Sequence, residues 1–125
     1  MAGSTERETA AAAEWQQQVE SLLEQLALSG TTARYAVVAT EAGIPPPFRI
    51  HQLTGYLEQL TAADIKAGRP LRAAVVIGHR GIPGEGFFDF CQANGLHPLA
   101  GEGRTAWHQR LLRQLAKAKA SQSNS

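Results

Sequence analysis

The first regular pattern of apolar residues begins near Glu14. Trp15, Val19, Leu22, Leu23 and Leu26 stand at positions i, i+4, i+7, i+8 and i+11, the spacing of one face of an amphipathic helix. Gly30 follows this stripe and is predicted to end the helix. The opposite face carries glutamates and glutamines, so we expect an acidic outer surface that would repel a phosphate backbone.

A shorter pattern follows in TTARYAVVATEAG, residues 31–43. Thr31 or Thr32 is predicted to cap a helix of about two turns, and Gly43 is predicted to end it. The inner face of this helix would be formed by Tyr35, Val38, Ala39 and Ala42.

Three consecutive prolines, at positions 45–47, precede the next helical pattern. Pro47 suits the first turn of that helix, because a residue there needs no N–H donor and has the φ that proline imposes. The helical step turns Ile50, Leu53, Leu57 and Leu60 inward, and His51, Gly55 and Glu58 outward. Two short helices joined by a glycine-containing turn predict a helix-turn-helix, with Ala39 as the usual small residue before Gly43.

The segment after Gly68 changes character. LRAAVVIG predicts a short strand, HRGIPGEG a turn rich in glycine and proline, and GFFDFCQANG a second apolar segment. Three helices, a strand, a glycine-rich loop and a second apolar segment follow one another in the order of a winged-helix domain. We therefore predict an α+β fold, a small winged helix-turn-helix with extra N-terminal and C-terminal helices. Phe87, Phe88 and Phe90 would begin as the return strand of the wing and pass into a short helix that Gly95 ends.

A last helical stripe closes the chain, formed by Trp107, Leu111, Leu112 and Leu115. This segment is also the most basic one, with Arg104, Arg110, Arg113, Lys117 and Lys119. We predict one domain over residues 14–116, with flexible tails at 1–13 and 117–125.

Composition limits the classes of function. With 125 residues, of which 43% are hydrophobic, the chain can bury one compact core. The formal net charge of +1 does not announce a nucleic-acid or membrane partner, so any such surface must come from local clustering of charge. Cys91 is the single cysteine, which excludes an internal disulfide framework. No long apolar run or basic-then-apolar leader is present, which favours a soluble cytoplasmic protein without a membrane partner.

The stretch ARYAVVATEAGIPPPFRI resembles the entry to the winged helix-turn-helix of the alkylguanine-DNA alkyltransferases and their catalytically inactive alkyltransferase-like relatives. In that family a tyrosine opens the first helix, a small residue and a glycine shape the turn, and a proline follows. An arginine near the start of the recognition helix is then pushed into the DNA stack. Tyr35, Ala39, Gly43 and Arg49 stand in a similar order here, and the resemblance covers roughly residues 31–95.

The Pro-Cys-His-Arg signature of that family is absent, because the equivalent place reads RPLRAAVVI. The resemblance therefore implies the fold, a phosphate contact for Tyr35 and a base contact for Arg49, but not alkyl transfer.

A DNA-binding surface needs cations and hydrogen-bond donors, because phosphate contacts supply most of the affinity and set the register. Arginine and glutamine are the types that recognise guanine and adenine edges, and cations at a wing tip can enter a minor groove. An exposed phenylalanine at a helix start suits a wedge between bases or a protein contact. The candidate DNA-binding residues are Arg34, Tyr35, Phe48, Arg49, His51, Gln52, Arg72, His79 and Arg80.

Signals for catalysis are weak. Cys91 lies among phenylalanines, which favours a buried structural thiol over a reactive thiolate. The four histidines show no close i, i+4 pair, and one cysteine cannot complete a cysteine-rich zinc site. HRGIPGEG lacks the lysine and the serine or threonine of a phosphate-binding P-loop. We expect no catalytic residue, no metal and no cofactor.

Two hypotheses follow. The first is a small bacterial-type, non-enzymatic DNA-binding protein with a regulatory, architectural or repair-associated role, for which duplex DNA is favoured over single strands. The second is a protein-interaction module on the same fold, which binds a protein partner or a second copy of the chain. DNA binding predicts one continuous face for Arg34, Arg49, Arg72, Arg80 and the C-terminal cations. Docking predicts an exposed apolar patch around Phe48 and Ile82.

Overall fold

The computed structural model describes the backbone of residues 2–123 and the side chains of residues 12–121. Within that range the chain forms five α-helices, a short 3-10 helix and two short strands. In chain order these are α1 (Ala2–Ser29), β1 (Ala33–Arg34), α2 (Tyr35–Glu41), α3 (Arg49–Ala67), the 3-10 helix (Arg72–Val75), β2 (Val76–Ile77), α4 (Glu85–Ala93) and α5 (Arg104–Ser123). The strands pair in parallel, Ala33 with Val76 and Arg34 with Ile77. The fold is therefore mostly helical with a small parallel sheet, in agreement with a small α+β class.

The centre of the core is the segment that runs through the 3-10 helix into β2. Its side chains at positions 71 and 73–76 are each at most 2% exposed. Helices α1, α3 and α5 all pack against the 3-10 helix. Ala73 and Ala74 are small, which lets these helices approach the segment closely. The sequence predicts this apolar run as a strand. In the structure it passes through the core between three helices, and only its last two residues form a strand.

The predicted stripes of the first and last helices are confirmed. Trp15, Val19 and Leu23 of α1 are buried, as are Trp107, Leu111 and Leu115 of α5; Leu22, Leu26 and Leu112 are partly buried. Gly30 follows the end of α1 with a φ of 69°, a left-handed conformation that glycine adopts without steric cost. Both helices extend beyond the boundaries predicted from their stripes, since α1 begins at Ala2 and α5 continues to Ser123.

The predicted threonine cap of the second helix is wrong. Residues 33–34 form β1, and α2 begins directly afterwards at Tyr35 without a side-chain capping bond. Pairing with β2 holds this part of the chain extended, so the helix starts later than Thr31 or Thr32 would place it. Val38, Ala39 and Ala42 are buried as predicted, whereas Tyr35 is partly buried.

The predicted return strand of a wing is also wrong. Residues 85–93 form α4, and β2 has β1 as its partner within the described chain. The apolar residues Phe88 and Cys91 are both fully buried, and their spacing suits one face of a helix. The Phe88 ring lies 5.3 Å from that of Trp107, measured between centroids, so contact with α5 favours the helix. The short helix expected before Gly95 is confirmed.

A buried carboxylate fixes the path of the chain between α3 and the central segment. The Asp64 side chain is 0% exposed and lies in the last turns of α3. Its oxygens accept hydrogen bonds from the Arg72 backbone N–H (3.1 Å) and from the Arg72 guanidinium (Nη2 3.0 Å, Nε 3.1 Å). The Arg69 Nε–H donates to the same carboxylate at 3.1 Å. Asp64 thus binds both arginines of the turn that leads into the 3-10 helix.

The same network reaches α1. The Arg72 Nη1 lies 3.3 Å from one carboxylate oxygen of Glu20, and the Tyr56 hydroxyl donates to the other at 2.7 Å. Burial and the neighbouring Glu20 carboxylate raise the pKa of Tyr56 to about 12. The ring of Tyr56 also meets that of Trp15 edge-on, with centroids 5.7 Å apart. Arg72 therefore joins α1, α3 and the central segment.

We expect Asp64→Asn to lower the free energy of unfolding by about 2–4 kcal/mol, because it leaves Arg72 without its buried counter-charge. Urea unfolding followed by tryptophan fluorescence measures this change. Glu24→Gln is the matched control: Glu24 pairs with Lys119 at 2.6 Å on the surface, and its loss should cost less than about 1 kcal/mol. Equal stability of the two variants would contradict a structural role for Asp64.

Candidate nucleic-acid interface

Helices α2 and α3 pack against each other and are joined by a turn that contains Gly43. Gly43 has a φ of 76°, and the Ile44 N–H donates to the Ala39 carbonyl oxygen at 3.2 Å. Ala39 and Ile44 are buried at this junction, and so is Leu53 of α3. The two helices predicted around Ala39 and Gly43 are therefore present; α2 is short, with 7 residues, whereas α3 has 19.

The start of α3 differs from the prediction. Pro47 precedes the helix instead of lying in its first turn, because α3 begins at Arg49 after Phe48. Phe48 has φ 61° and ψ 41°, the left-handed conformation that a bulky side chain rarely adopts. Ile50, predicted to turn inward, is 49% exposed. The first turn of α3 extends beyond the residues that cover Leu53. The Ile50 side chain therefore has no neighbouring element to pack against.

Two predicted base-contacting residues brace this turn instead of pointing freely outward. The Arg49 Nε–H donates to the Ile44 carbonyl oxygen at 3.0 Å. The Gln52 side-chain amide donates to the carbonyl oxygens of Pro45 and Pro47, at 2.9 Å each. Arg49 uses only its Nε in this bond, so its two terminal nitrogens stay available to a ligand, whereas the Gln52 amide nitrogen is occupied.

Every residue from 45 to 51 is exposed, including His51. Phe48 is 76% exposed. Ile50 on the same turn is 49% exposed, and Val37 of α2 is 45% exposed. A groove of about 550 Å³ runs beside this turn, between Ala36 and Thr40 of α2 and the first residues of α3. Ile82, which the docking hypothesis places in the exposed patch, is instead packed against the core.

A second group of predicted residues meets at the ends of the two strands. Arg34 ends β1 and pairs with Ile77, which ends β2. His79 and Arg80 follow β2 and are exposed, as is Arg34. Because carboxyl ends of parallel strands meet at one edge, the topology places these residues at the same edge as Tyr35, which starts α2. We call Arg34, Tyr35, His79 and Arg80 the strand-end cluster.

Tyr35 ties this cluster to the loop that the sequence predicts as a wing. The Gly84 backbone N–H donates to the Tyr35 hydroxyl oxygen at 3.1 Å. Burial raises the pKa of Tyr35 despite this hydrogen bond, so the phenol is neutral and keeps its own proton to donate. The loop over residues 78–84 is closed by the Gly78 N–H bond to the Ile82 carbonyl oxygen at 2.9 Å.

Arg72 is not part of either group, since it is paired with Asp64 and Glu20. Three cations of α5 are also engaged: Arg104 with Glu85 at 3.1 Å, Arg110 with Glu102 at 2.8 Å, and Lys119 with Glu24 at 2.6 Å. Hydrogen bonds from Arg110 and from the Leu99 N–H lower the pKa of Glu102 to about 2. Arg34, Arg49 and Arg80, by contrast, form no ion pair with a residue whose side chain is described.

Two features of this surface are absent from the sequence prediction. Ile50 falls on the inward stripe by its spacing, so periodicity alone gives no signal for its exposure. Val37 lies beside the buried pair Val38 and Ala39, and its position off that stripe is the signal that could have identified it.

Gly55 lies on the exposed face of α3, where a Cβ would meet no atom within 4 Å. Packing therefore does not explain a glycine there, although glycine in a helix interior costs about 1 kcal/mol relative to alanine. Close approach of a ligand to the helix backbone is a common reason for such a residue.

Two of the groups considered for catalysis, Cys91 and His108, lie in the interior, whereas His51, His79 and His97 are exposed. Cys91 is fully buried, as predicted, and burial raises the pKa of its thiol to about 11. His108 is also buried; its Nε2 lies 2.8 Å from the Ala74 carbonyl oxygen, and burial lowers its pKa. Neither side chain has the exposed, ionisable character of a reacting group.

The left-handed backbone at Phe48 makes a prediction about stability. Phe48→Gly should raise the free energy of unfolding by about 0.5–1 kcal/mol, because it removes the steric cost of this conformation at little loss of burial. Phe48→Ala is the control, since alanine keeps that cost and should give no gain. Thermal unfolding followed by circular dichroism distinguishes the two. A glycine variant no more stable than the alanine variant would contradict strain at this position.

Among the residues with described side chains, no three histidine, cysteine, aspartate or glutamate side chains cluster as metal ligands would. No helix within the described chain has the length and apolar character needed to cross a membrane. Models of known protein families, curated proteins and solved structures contain no match to this chain.

Proposed function

We propose that this chain is a small, non-enzymatic, cytoplasmic DNA-binding protein that contacts duplex DNA with the first turns of α3 and with the strand-end cluster. The observation that carries the proposal is the exposed first turn of α3. It lies in a stretch, residues 42–57, that contains no aspartate or glutamate. It presents an aromatic ring beside an arginine whose terminal nitrogens are available.

The fold proposed for this function is a helix-turn-helix formed by α2 and α3, related to that of the alkylguanine-DNA alkyltransferases. The loop over residues 78–84 takes the place of a wing and carries His79 and Arg80. Tyr35 and Arg34 stand next to this loop through the Gly84 hydrogen bond and the strand pairing. A duplex backbone that follows this edge would meet the strand-end cluster while α3 meets the bases.

The charged side chains of this surface support a modest, salt-dependent affinity for DNA. Arg69, Arg72, Arg104, Arg110 and Lys119 are engaged in intramolecular ion pairs, whereas Arg34, Arg49 and Arg80 form none with a residue whose side chain is described. Each phosphate contact contributes counterion release, so three arginines predict a salt slope of about 3. Glu20 and Glu24 of α1 are paired with Arg72 and Lys119, and this face of α1 is expected to point away from the DNA.

A non-enzymatic role fits the interior position of Cys91, whose thiol is protonated at neutral pH because its pKa is about 11. Regulatory, architectural and repair-associated roles are all compatible with a small duplex-binding surface.

A second candidate function is docking to a protein partner or to a second copy of the chain. The exposed fractions of Val37, Phe48 and Ile50, at 45%, 76% and 49%, favour it. The absence of aspartate and glutamate from residues 42–57 and the nearby unpaired arginines make DNA the better match.

We expect Arg49→Ala to weaken binding to duplex DNA about tenfold at every sequence tested, and Arg80→Ala to lower the salt slope by about one. Fluorescence anisotropy with a labelled duplex from low to physiological salt measures both. Lys66→Ala is the matched control, because Lys66 is an exposed cation at the opposite end of α3. If Arg49→Ala and Arg80→Ala both bind like Lys66→Ala, neither α3 nor the loop contacts DNA. If the wild-type protein binds no duplex at low salt, the DNA proposal fails and docking remains.

Gly55→Ala separates folding from binding on α3. It should raise the free energy of unfolding by about 0.5–1 kcal/mol, because the new methyl group meets no neighbour and favours the helix. It should also weaken duplex binding if DNA approaches the helix backbone closely. Gln59→Ala, one turn further along the exposed face, is the control. A Gly55→Ala variant that is more stable and binds with unchanged Kd would place Gly55 outside the interface.

A further inference from the structure

Phe48 stands in an exposed turn immediately before α3. Residues 45–51 are all exposed, and Phe48, at 76%, is the most exposed large hydrophobic residue among those with described side chains. A single exposed apolar residue is ordinary. Here the exposed phenylalanine also adopts a left-handed backbone conformation, with φ 61°. Folding explains neither feature, and strained residues of this kind concentrate at functional sites.

The turn that carries the ring is held rigid. Arg49 donates to the Ile44 carbonyl oxygen, and the Gln52 amide donates to two proline carbonyl oxygens. The three prolines before Phe48 restrict the backbone further. The Gln52 amide and the Nε of Arg49 therefore brace the turn that carries the ring, and the terminal nitrogens of Arg49 stay available to a ligand. A rigid support loses little conformational freedom when the ring enters a ligand.

The chemistry around the ring indicates what receives it. A flat apolar ring flanked by the available nitrogens of Arg49 fits a surface with flat apolar faces next to negative charge. Opened base steps offer this combination, because the bases stack on an aromatic ring while phosphates lie on either side. Residues 42–57 contain no aspartate or glutamate, and the acidic residues that border them are Glu41 and Glu58.

We propose that Phe48 is a wedge that inserts between stacked base pairs, and that the preferred ligand is duplex DNA whose stack is locally weak, such as a mismatched pair. This inference rests on the proposed function and names the ligand class of the same site. Ile50, exposed on the same turn, contacts the edge of the opened step. Unstacking costs least at mismatches and at flexible pyrimidine–purine steps, so a wedge favours those sites without any base-specific hydrogen bond.

The test compares two duplexes of one sequence, one fully paired and one with a single mismatch, each with 2-aminopurine beside the central step. The emission of this base rises when it loses its stacking neighbours. Wild-type protein should bind the mismatched duplex about tenfold more tightly than the paired one, and binding should raise the emission. Phe48→Ala should lose this preference and the rise in emission, whereas Phe48→Trp, which keeps a flat ring, should retain both.

Leu99→Ala is the matched control, since Leu99 is another exposed apolar side chain (60%) on a different part of the surface. It should behave as wild type. Salt-dependent duplex binding without a rise in emission overturns the wedge and leaves the proposed function standing. Equal losses of affinity for both duplexes in Phe48→Ala also overturn it, because Phe48 is then an ordinary contact. No binding of wild-type protein to either duplex at low salt overturns the proposed function, and the wedge with it.

Discussion

The buried carboxylate of Asp64 is the constraint on which the rest of the structure depends. A charge with 0% exposure is costly unless it is paired and hydrogen-bonded. Asp64 meets this requirement only when the chain turns after Gly68 and brings Arg69 and Arg72 back to it. Since Arg72 begins the 3-10 helix, the same contact sets where the central apolar segment enters the core. Through Glu20 the network also positions α1, so one ion cluster orients three elements.

The surface that we propose for DNA follows from that placement of the central segment. Its last residues form β2, and β2 holds β1 in parallel, which puts Arg34 beside the loop that carries Arg80. The Tyr35 hydroxyl then anchors this loop at Gly84. Packing of α2 on α3 leaves the first turn of α3 uncovered. The proposed DNA surface is thus made of residues that the fold leaves exposed at one strand edge and at one helix start.

Charge pairing separates structural cations from those available to a ligand. Arginines occur throughout the chain. Arg72, Arg104 and Arg110 have carboxylate partners, whereas the arginines of the proposed DNA surface have none among the described side chains. The net charge of +1 does not show which cations are paired and which are available to a ligand. Local pairing explains how a nearly neutral protein can still present a small cationic surface, and why the expected affinity is strongly dependent on salt.

The sequence by itself determined the features that depend on local periodicity and on glycine. The stripes of α1 and α5, the buried face of α2, the glycine ends of helices and the burial of Cys91 all follow from residue spacing and type. Only the tertiary structure decided the rest. The predicted wing strand is α4 because Phe88 packs on Trp107. Arg72 is held in an ion network, with its side chain 29% exposed, because the buried Asp64 carboxylate needs a counter-charge. Ile50 is exposed because no element covers the start of α3, which no periodic pattern can reveal. Contacts between segments that are far apart in sequence leave no periodic pattern in either segment, so they cannot be predicted from residue spacing.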